Sequence, residues 1–398
     1  MREVFFAFLR LGLTAFGGPV AHIGFFREEF VARRRWLTDA AYADLIALCQ
    51  FLPGPASSQA GFAIGLMRAG PAGALAAWVG FTLPSALLMS AAALSLVAFS
   101  AAVPAGLLAG LKAVVVGVVA HALMGMARSL TPDMPRLVLA GVAAAIAIGF
   151  GGVAGQLAAI AAGAMAGFVL FARAPQEADR SAEFAAPLTR RVGVSLLGAV
   201  AAGLVLLPLA AAHTSSLALD IADGFYRSGA LVFGGGHVVL PLLQAEMVAP
   251  GLVDVSQFTA GYGLAQAMPG PLFSVAAFLG AAAATTAGAG TIPALGMAVL
   301  ALVMLFLPGV MLVAAVLPFW ARLRQNRTAR AALLGVNAAV VGILAAALYH
   351  PIATSALTAW TDVLIAAAAF AVLAYGRVPV WALVPAGAVA GVLFAQLA

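Results

Sequence analysis

Residues 71–97, 104–127, 192–212 and 293–317 form four apolar windows of about 20 residues or more, and Lys112 is the only charge within them. A helix rising 1.5 Å per residue crosses a ~30 Å hydrocarbon layer in about 20 residues. Inside that layer no water is available to an unpaired backbone N–H, so only helices and closed barrels can span it. The turn-rich alternation of membrane strands is absent, while Ala, Leu and 43 Gly suit helices packed closely through small residues. Of 398 residues 64% are hydrophobic and 9% charged, far from the roughly one quarter charged residues of soluble domains. The expected fold is an all-α polytopic membrane protein.

Several function classes fall away early. Cys49 is the one cysteine, which excludes a disulfide framework or a thiolate metal cluster within a chain and reads as a small packing residue. The net charge of +6 and pI near 10.2 come without a basic stripe interleaved with aromatics, so they indicate topology and not nucleic acid. The chain has no GxxxxGK[ST] phosphate loop, which disfavours an ATP-driven pump. It also has no HExxH or GxSxG motif, which disfavours an intramembrane enzyme, and no cofactor is expected. The first apolar run is interrupted by Arg10 and recurs in mid-chain, so it is expected to stay in the mature protein and not to act as a cleaved signal.

The recurrence is extensive. "RLGLTAFGGPVAHIGFFREEF" (10–30) aligns without a gap on "RSGALVFGGGHVVLPLLQAEM" (227–247), placing Arg10 on Arg227, Gly17 and Gly18 on Gly234 and Gly235, and Glu29 on Glu246. "QFLPGPASS" (50–58) is answered by "QAMPGPLFS" (266–274), "FTLPSALLM" around Pro84 by "LFLPGVMLV" around Pro308, and "GLKAVVVGVVA" from Gly110 by "GVNAAVVGILA" from Gly335. Order is kept and the offset drifts only slightly, as a tandem duplication requires. We divide the chain into a first repeat (1–175), a polar linker with one connecting helix (176–213) and a second repeat (214–398). The single additional crossing in the connector turns the second repeat over, giving an inverted-topology pair.

Gly17, Gly18 and Pro19 split the first segment of the repeat, and Pro53, Gly54 and Pro55 split the second. The resulting half-helices of roughly 10 to 14 residues are too short to cross, so both segments are expected as re-entrant hairpins. With the N-terminus cytoplasmic, every Lys and Arg except Arg10, Arg227 and Lys112 then falls on the cytoplasmic side. If both segments cross fully, Arg27, Arg33, Arg34 and Arg35 move outside. The first arrangement fits the positive-inside rule better and places Arg27 and Arg33 to Arg35 on a cytoplasmic interfacial helix ending at Trp36.

Arg10, Arg227 and Lys112 are the cations left within apolar segments, where a charge faces a cavity, a partner or a substrate path. Snorkelling is the alternative for Arg10, and a surface position near a helix end for Lys112, whose repeat mate is Asn337. Half-helices starting at mid-membrane aim N–H groups and positive dipole ends at the centre, a setting for an anion. The candidate binding set is therefore Arg10, Arg227, Gly17, Gly18, Gly234, Gly235, Pro53, Gly54, Pro55, Pro269, Gly270, Pro271, Lys112, Asn337, Gln50 and Gln266. Coupling candidates are Glu29, Glu246, Asp44 and His237. Glu29, in the run "REEFVARRRW", is expected on a solvated interfacial helix, and Asp44, Gln50 and Gln266 either line the cavity or make packing hydrogen bonds.

The duplicated "FGGP" and "PGP" motifs, with "LRLGLTAFGGPVAHIGFF" followed by "FLPGPASSQAGFAIG", resemble the chromate ion transporter family in its long, two-domain form. The resemblance covers essentially the whole chain and implies chromate export across the bacterial cytoplasmic membrane, with sulfate as the natural look-alike. Gly236 stands where the first repeat has Pro19, so the tips are unequal. The residues alone specify a small-oxyanion carrier, with an anion channel as the alternative. The bilayer is the expected surround, and a homodimer is compatible with the sequence.

Overall fold

Helices in this chain stop where the sequence places glycine and proline. The computed structural model describes residues 1–98, 104–172, 188–233, 238–323, 325–376 and 378–397. Gly234, Gly235, His237 and most of the polar linker lie outside these residues. In the first half, α1 (Arg2–Thr14) and α2 (Gly18–Arg27) are parted at residues 15–17, and a π-helical turn, Glu28–Arg33, continues α2. Next comes α3 (Asp39–Phe51), N-capped by Thr38, whose hydroxyl accepts the Ala41 N–H. A break at residues 52–55 leads into α4 (Ala56–Ala98), itself interrupted at Ala69 and Gly70 just before Pro71. Then follow α5 (Ala105–Leu130), α6 (Met134–Phe150), α7 (Gly152–Phe171) and the connector α8 (Arg190–His213).

The second half repeats this order. It comprises α9 (Leu217–Leu231), α10 (Val239–Met247), α11 (Val255–Ala267), α12 (Val275–Thr286), α13 (Thr291–Val316), the short α14 (Trp320–Leu323), α15 (Arg327–Ala347), a single turn α16 (Thr354–Ala356), α17 (Trp360–Tyr375) and α18 (Val380–Leu397). Six helices among the described residues are long and apolar enough to cross a membrane, and four shorter apolar helices accompany them. Large apolar side chains such as Leu87, Leu137, Leu206, Ile292 and Leu393 point outward, as a lipid-facing surface demands. Only 11% of the apolar window of α8 is buried, against 67% for the helix beginning at Arg327, so the connector is peripheral and α15 is central.

Much of the packing crosses between the halves. The central helix of the second half, α15, packs on α6 and α7 of the first, and α5 of the first half packs on α17 and α18 of the second. Glycines set these crossings. A Cβ on Gly335 would collide with the Gly163 carbonyl, and one on Gly110 with the Gly387 carbonyl. Gly342 against Ala140 and Gly117 against Ala366 repeat the relation one step along each helix. Between helices in lipid, close backbone approach and dispersion replace the hydrophobic effect as the source of association. We expect Gly110→Leu and Gly335→Leu each to abolish the monodisperse folded protein on size-exclusion chromatography in detergent. Gly125→Leu, at an open position of α5 with nothing within 4 Å, should leave the profile unchanged.

Candidate functional site

The breaks meet each other. The Gly54 N–H donates to the Val232 carbonyl at 2.7 Å, and the Gly270 N–H donates to the Ala15 carbonyl at 3.0 Å. Ala15 and Val232 are the residues at which α1 and α9 end, and the repeat alignment places one on the other, as it does Gly54 and Gly270. A helix end leaves carbonyls without intrahelical partners, so each half supplies the donor for the other's broken helix. Gly54 (φ +122°) and Gly270 (φ +91°) take left-handed backbone that glycine adopts without strain. A Cβ on Gly54 would also lie 2.9 Å from the Gly309 Cα, and one on Gly270 2.9 Å from the Ser85 Oγ. Of the glycine and proline positions expected at these breaks, Gly54 and Gly270 bond across the halves and Pro55 lies beside Gly309, while Gly234 and Gly235 lie outside the described residues.

Polar groups the sequence reading did not select surround this junction. Gln59 is fully buried and donates through Nε2 to the Pro53 carbonyl at 2.8 Å and the Gly309 carbonyl at 3.0 Å, which fixes the tip of one half to the long helix of the other. Its Oε1 has no hydrogen-bond partner, nor have the buried hydroxyls of Ser58, Thr82 and Ser228 on the helices flanking the breaks. A buried polar atom left unpaired costs about 1–3 kcal/mol, and several beside one junction mark a functional centre more readily than a packing accident. Fully buried His22 lies with Nδ1 3.4 Å from the Ser57 Oγ and Nε2 3.3 Å from the Ala15 carbonyl. The signal for Ser58 was present as the last residue of the "QFLPGPASS" match. Gln59, Thr82 and Ser228 had none, because their repeat mates are not alike.

The two arginines occupy unlike settings. Arg227 is half-buried, and its Nη2 contacts both Asp223 Oδ2 at 2.5 Å and Glu246 Oε2 at 3.0 Å, while its buried Nε has no partner. Arg10, expected in a buried position, is instead exposed, because α1 turns Val4, Ala7, Phe8 and Leu11 toward α4 and leaves Phe6, Arg10 and Leu13 on the opposite face. Asp223 has Phe6 as its repeat mate, so the first half has no acid at that place.

Glu29 also departs from expectation. It is buried, not solvated, because Arg33 Nη1 at 2.9 Å and Arg34 Nε at 2.6 Å close over its carboxylate. The helix it sits on ends at Arg33, and Trp36 does not cap it but folds back to stack on Phe30, with Arg34 and Arg68 over its ring. Burial opposes ionisation of Glu29, yet the Arg34 hydrogen bond and the charges of Arg34, Arg33 and Arg10 bring its carboxyl below the ordinary value. Glu246, at the far end of α10 from the break, goes the other way. Burial pushes it up to about 7, Arg227 pulls against this and Asp223 adds to it.

A carboxyl with a depressed folded-state value contributes stability that is complete above its unfolded value and is lost as pH falls through the folded one. Thermal-shift measurements on the detergent-purified protein should therefore show wild type losing stability below about pH 4.5, in acid strong enough to protonate Glu29. Glu29→Gln should start from a lower melting temperature at neutral pH and lose less on acidification.

The remaining candidates are not gathered at the junction. Lys112 Nζ donates to the Ser256 Oγ at 3.2 Å, which ties α5 to α11, and Asn337 is half-buried on α15. Asp44 is buried and accepts from Trp320 Nε1 at 2.9 Å, the packing role of its two expected alternatives. Gln266 hydrogen-bonds Tyr262 one turn earlier, and Gln50 is exposed at the end of α3.

Broken helices that complete one another at a polar centre, wrapped in long apolar helices, define a polytopic helical membrane protein of the transporter class. The chain belongs to the chromate transporter family, whose profile matches residues 2–168 and again 219–392. It is 32% identical over 361 residues to the chromate transport protein of Pseudomonas aeruginosa, covering 86% of this chain and 79% of that one. It is 28% identical over 356 residues to the chromate transport protein of Cupriavidus metallidurans, covering 87% and 81%. No solved structure matches. Family and helices together make it a multi-pass membrane protein consistent with a bacterial inner membrane.

Proposed function

We propose that the chain is a secondary active carrier that exports chromate, and sulfate as a look-alike, across the bacterial cytoplasmic membrane. Its two halves stand in inverted topology, with α1 to α3 and the part of α4 before Pro71, and likewise α9 to α12, entering as re-entrant hairpins from opposite leaflets and the anion held near the bilayer midplane between their tips. The observation that carries this reading is the reciprocal pair of hydrogen bonds, Gly54 to Val232 and Gly270 to Ala15. In this reading the N-terminal ends of α2, α4, α10 and α12 converge on one centre, where N–H groups and positive dipole ends favour a dianion. The hydroxyls of Ser58, Thr82 and Ser228 add donors there.

Arg10 and Arg227 are the oxyanion clamps in this reading. A planar guanidinium presents two parallel donors to a tetrahedral oxyanion, which an ammonium does not. Exchange of the two halves between related conformations supplies alternating access. We expect Arg10→Lys and Arg227→Lys to insert normally and lose most chromate flux in proteoliposomes under imposed pH and voltage gradients. Arg10 shares its exposed face with Phe6 and Leu13, so the same measurement separates a clamp from a snorkelling side chain, for which lysine would serve equally well. Normal flux in both variants rejects the clamp assignment, and unitary currents in place of saturable counterflow reject the carrier.

A further inference from the structure

We infer that Asp223 and Glu246 withhold Arg227 from the transported anion until Glu246 takes up a proton, so that oxyanion and proton load the second half together. The inference rests on the reading of Arg227 as a clamp and adds to it the group that controls when the clamp is open. Three observations lead to it. Both carboxylates bind the same nitrogen, Nη2, which is one prong of the fork an oxyanion needs, while the buried Nε stands without a partner. Asp223 and Glu246 are themselves buried, so water screens their charges poorly. With both ionised the trio carries a net negative charge, and a dianion approaching it is repelled.

Neutralising one acid changes the balance. A protonated Glu246 no longer competes for Nη2, the trio becomes neutral, and Nη2 and Nε together can face the anion. Glu246 is the acid suited to this step, because burial already favours its neutral form near neutrality and Asp223 beside it strengthens that preference. Of the other charged groups around it, Asp220 is exposed and acts on Asp223. Arg190, Arg191 and His213 sit at the ends of α8, which packs on α9, and Arg327 and Arg330 open α15, which packs on α10. The other helices packed on α9 and α10, namely α7, α12 and α13, bring no charged side chain.

The first half is built without this control. Phe6 stands in place of Asp223, and Arg33 and Arg34 hold Glu29 in the position that corresponds to Glu246. Proton balance is simple: one proton adds to the Glu246 carboxylate as the anion arrives and leaves when the anion departs and the ion pair reforms. Linkage then requires that the anion raise proton affinity by the factor by which the proton raises anion affinity. Loaded anion therefore travels with a proton and not in exchange for one.

The test uses the purified full-length chain in detergent and chromate between about pH 7.5 and about pH 9, with the proton change of protein-free chromate subtracted. Adding chromate to weakly buffered wild type should take up close to one proton per bound anion, and its affinity should fall up to about tenfold per pH unit. Glu246→Gln should bind at the upper end of the range as tightly as wild type does at the lower end, with a flat pH profile and no proton uptake. Asp223→Asn should bind more tightly than wild type throughout and keep a pH slope. A wild-type protein that binds chromate without taking up protons overturns the inference, and this measurement does not depend on any variant folding. An unchanged slope in Glu246→Gln overturns it equally. Arg227→Ala separates the two readings: undiminished chromate binding in that variant removes the clamp itself, whereas lost binding combined with no proton uptake by wild type leaves the clamp standing and removes only the proton step.

Discussion

Broken helices in an apolar surround create a demand for hydrogen-bond partners that only a precise neighbour can meet. The Ala15 and Val232 carbonyls end their helices where no bulk water is expected, and each is satisfied by a glycine N–H from the opposite half. Much else is arranged around this exchange. It requires left-handed backbone at Gly54 and Gly270, hence glycine. It also requires the long helices α4 and α13 to come close enough that Gly12 abuts the Phe81 carbonyl and Gly229 the Leu305 carbonyl. Gln59 then bridges Pro53 and Gly309 across the same seam. In a low-dielectric setting these bonds are strong, and an unpaired partner is correspondingly costly, so the junction tolerates few arrangements.

The same setting explains why matched residues came to differ. Arg10 and Arg227 hold the same place in the repeat, but a neighbouring position is Phe6 in one half and Asp223 in the other. Around Arg227 the apolar environment makes two carboxylates affordable only because the guanidinium sits between them. Around Glu29 the counter-charges are Arg33 and Arg34, which the second half does not have. Identical motifs thus sit in different electrostatic surroundings, and the two ends of the molecule are chemically distinct.

Helix breaks, apolar windows and the duplication were legible in the sequence, because glycine and proline act locally and hydropathy needs no partner to be read. The breaks fall at residues 15–17 and 52–55, within the motifs that announced them, and the windows became α4, α5, α8 and α13. What was not legible depends on which side chains the fold turns toward one another. Glu29 looked solvated in a charged run because hydropathy cannot show that the turn of the π-helix brings Arg33 and Arg34 over it. Asp44 could either line a cavity or make a packing hydrogen bond, and only its partner Trp320, which follows it by more than half the chain, shows the packing bond. Asp223 attracted no notice because it has no counterpart in the first half, and a search built on matched positions passes over a residue whose importance lies in being unmatched.

The crossed packing of the central helices has a consequence for what counts as a folding unit. Neither half covers its own α5 or α15: the glycine faces of α5 are covered by α17 and α18, and those of α15 by α6 and α7. A half released on its own would present grooves sized for another backbone to lipid chains that cannot enter them as closely. The halves are therefore clasped like two hands with interlaced fingers, and the cooperative unit is the pair.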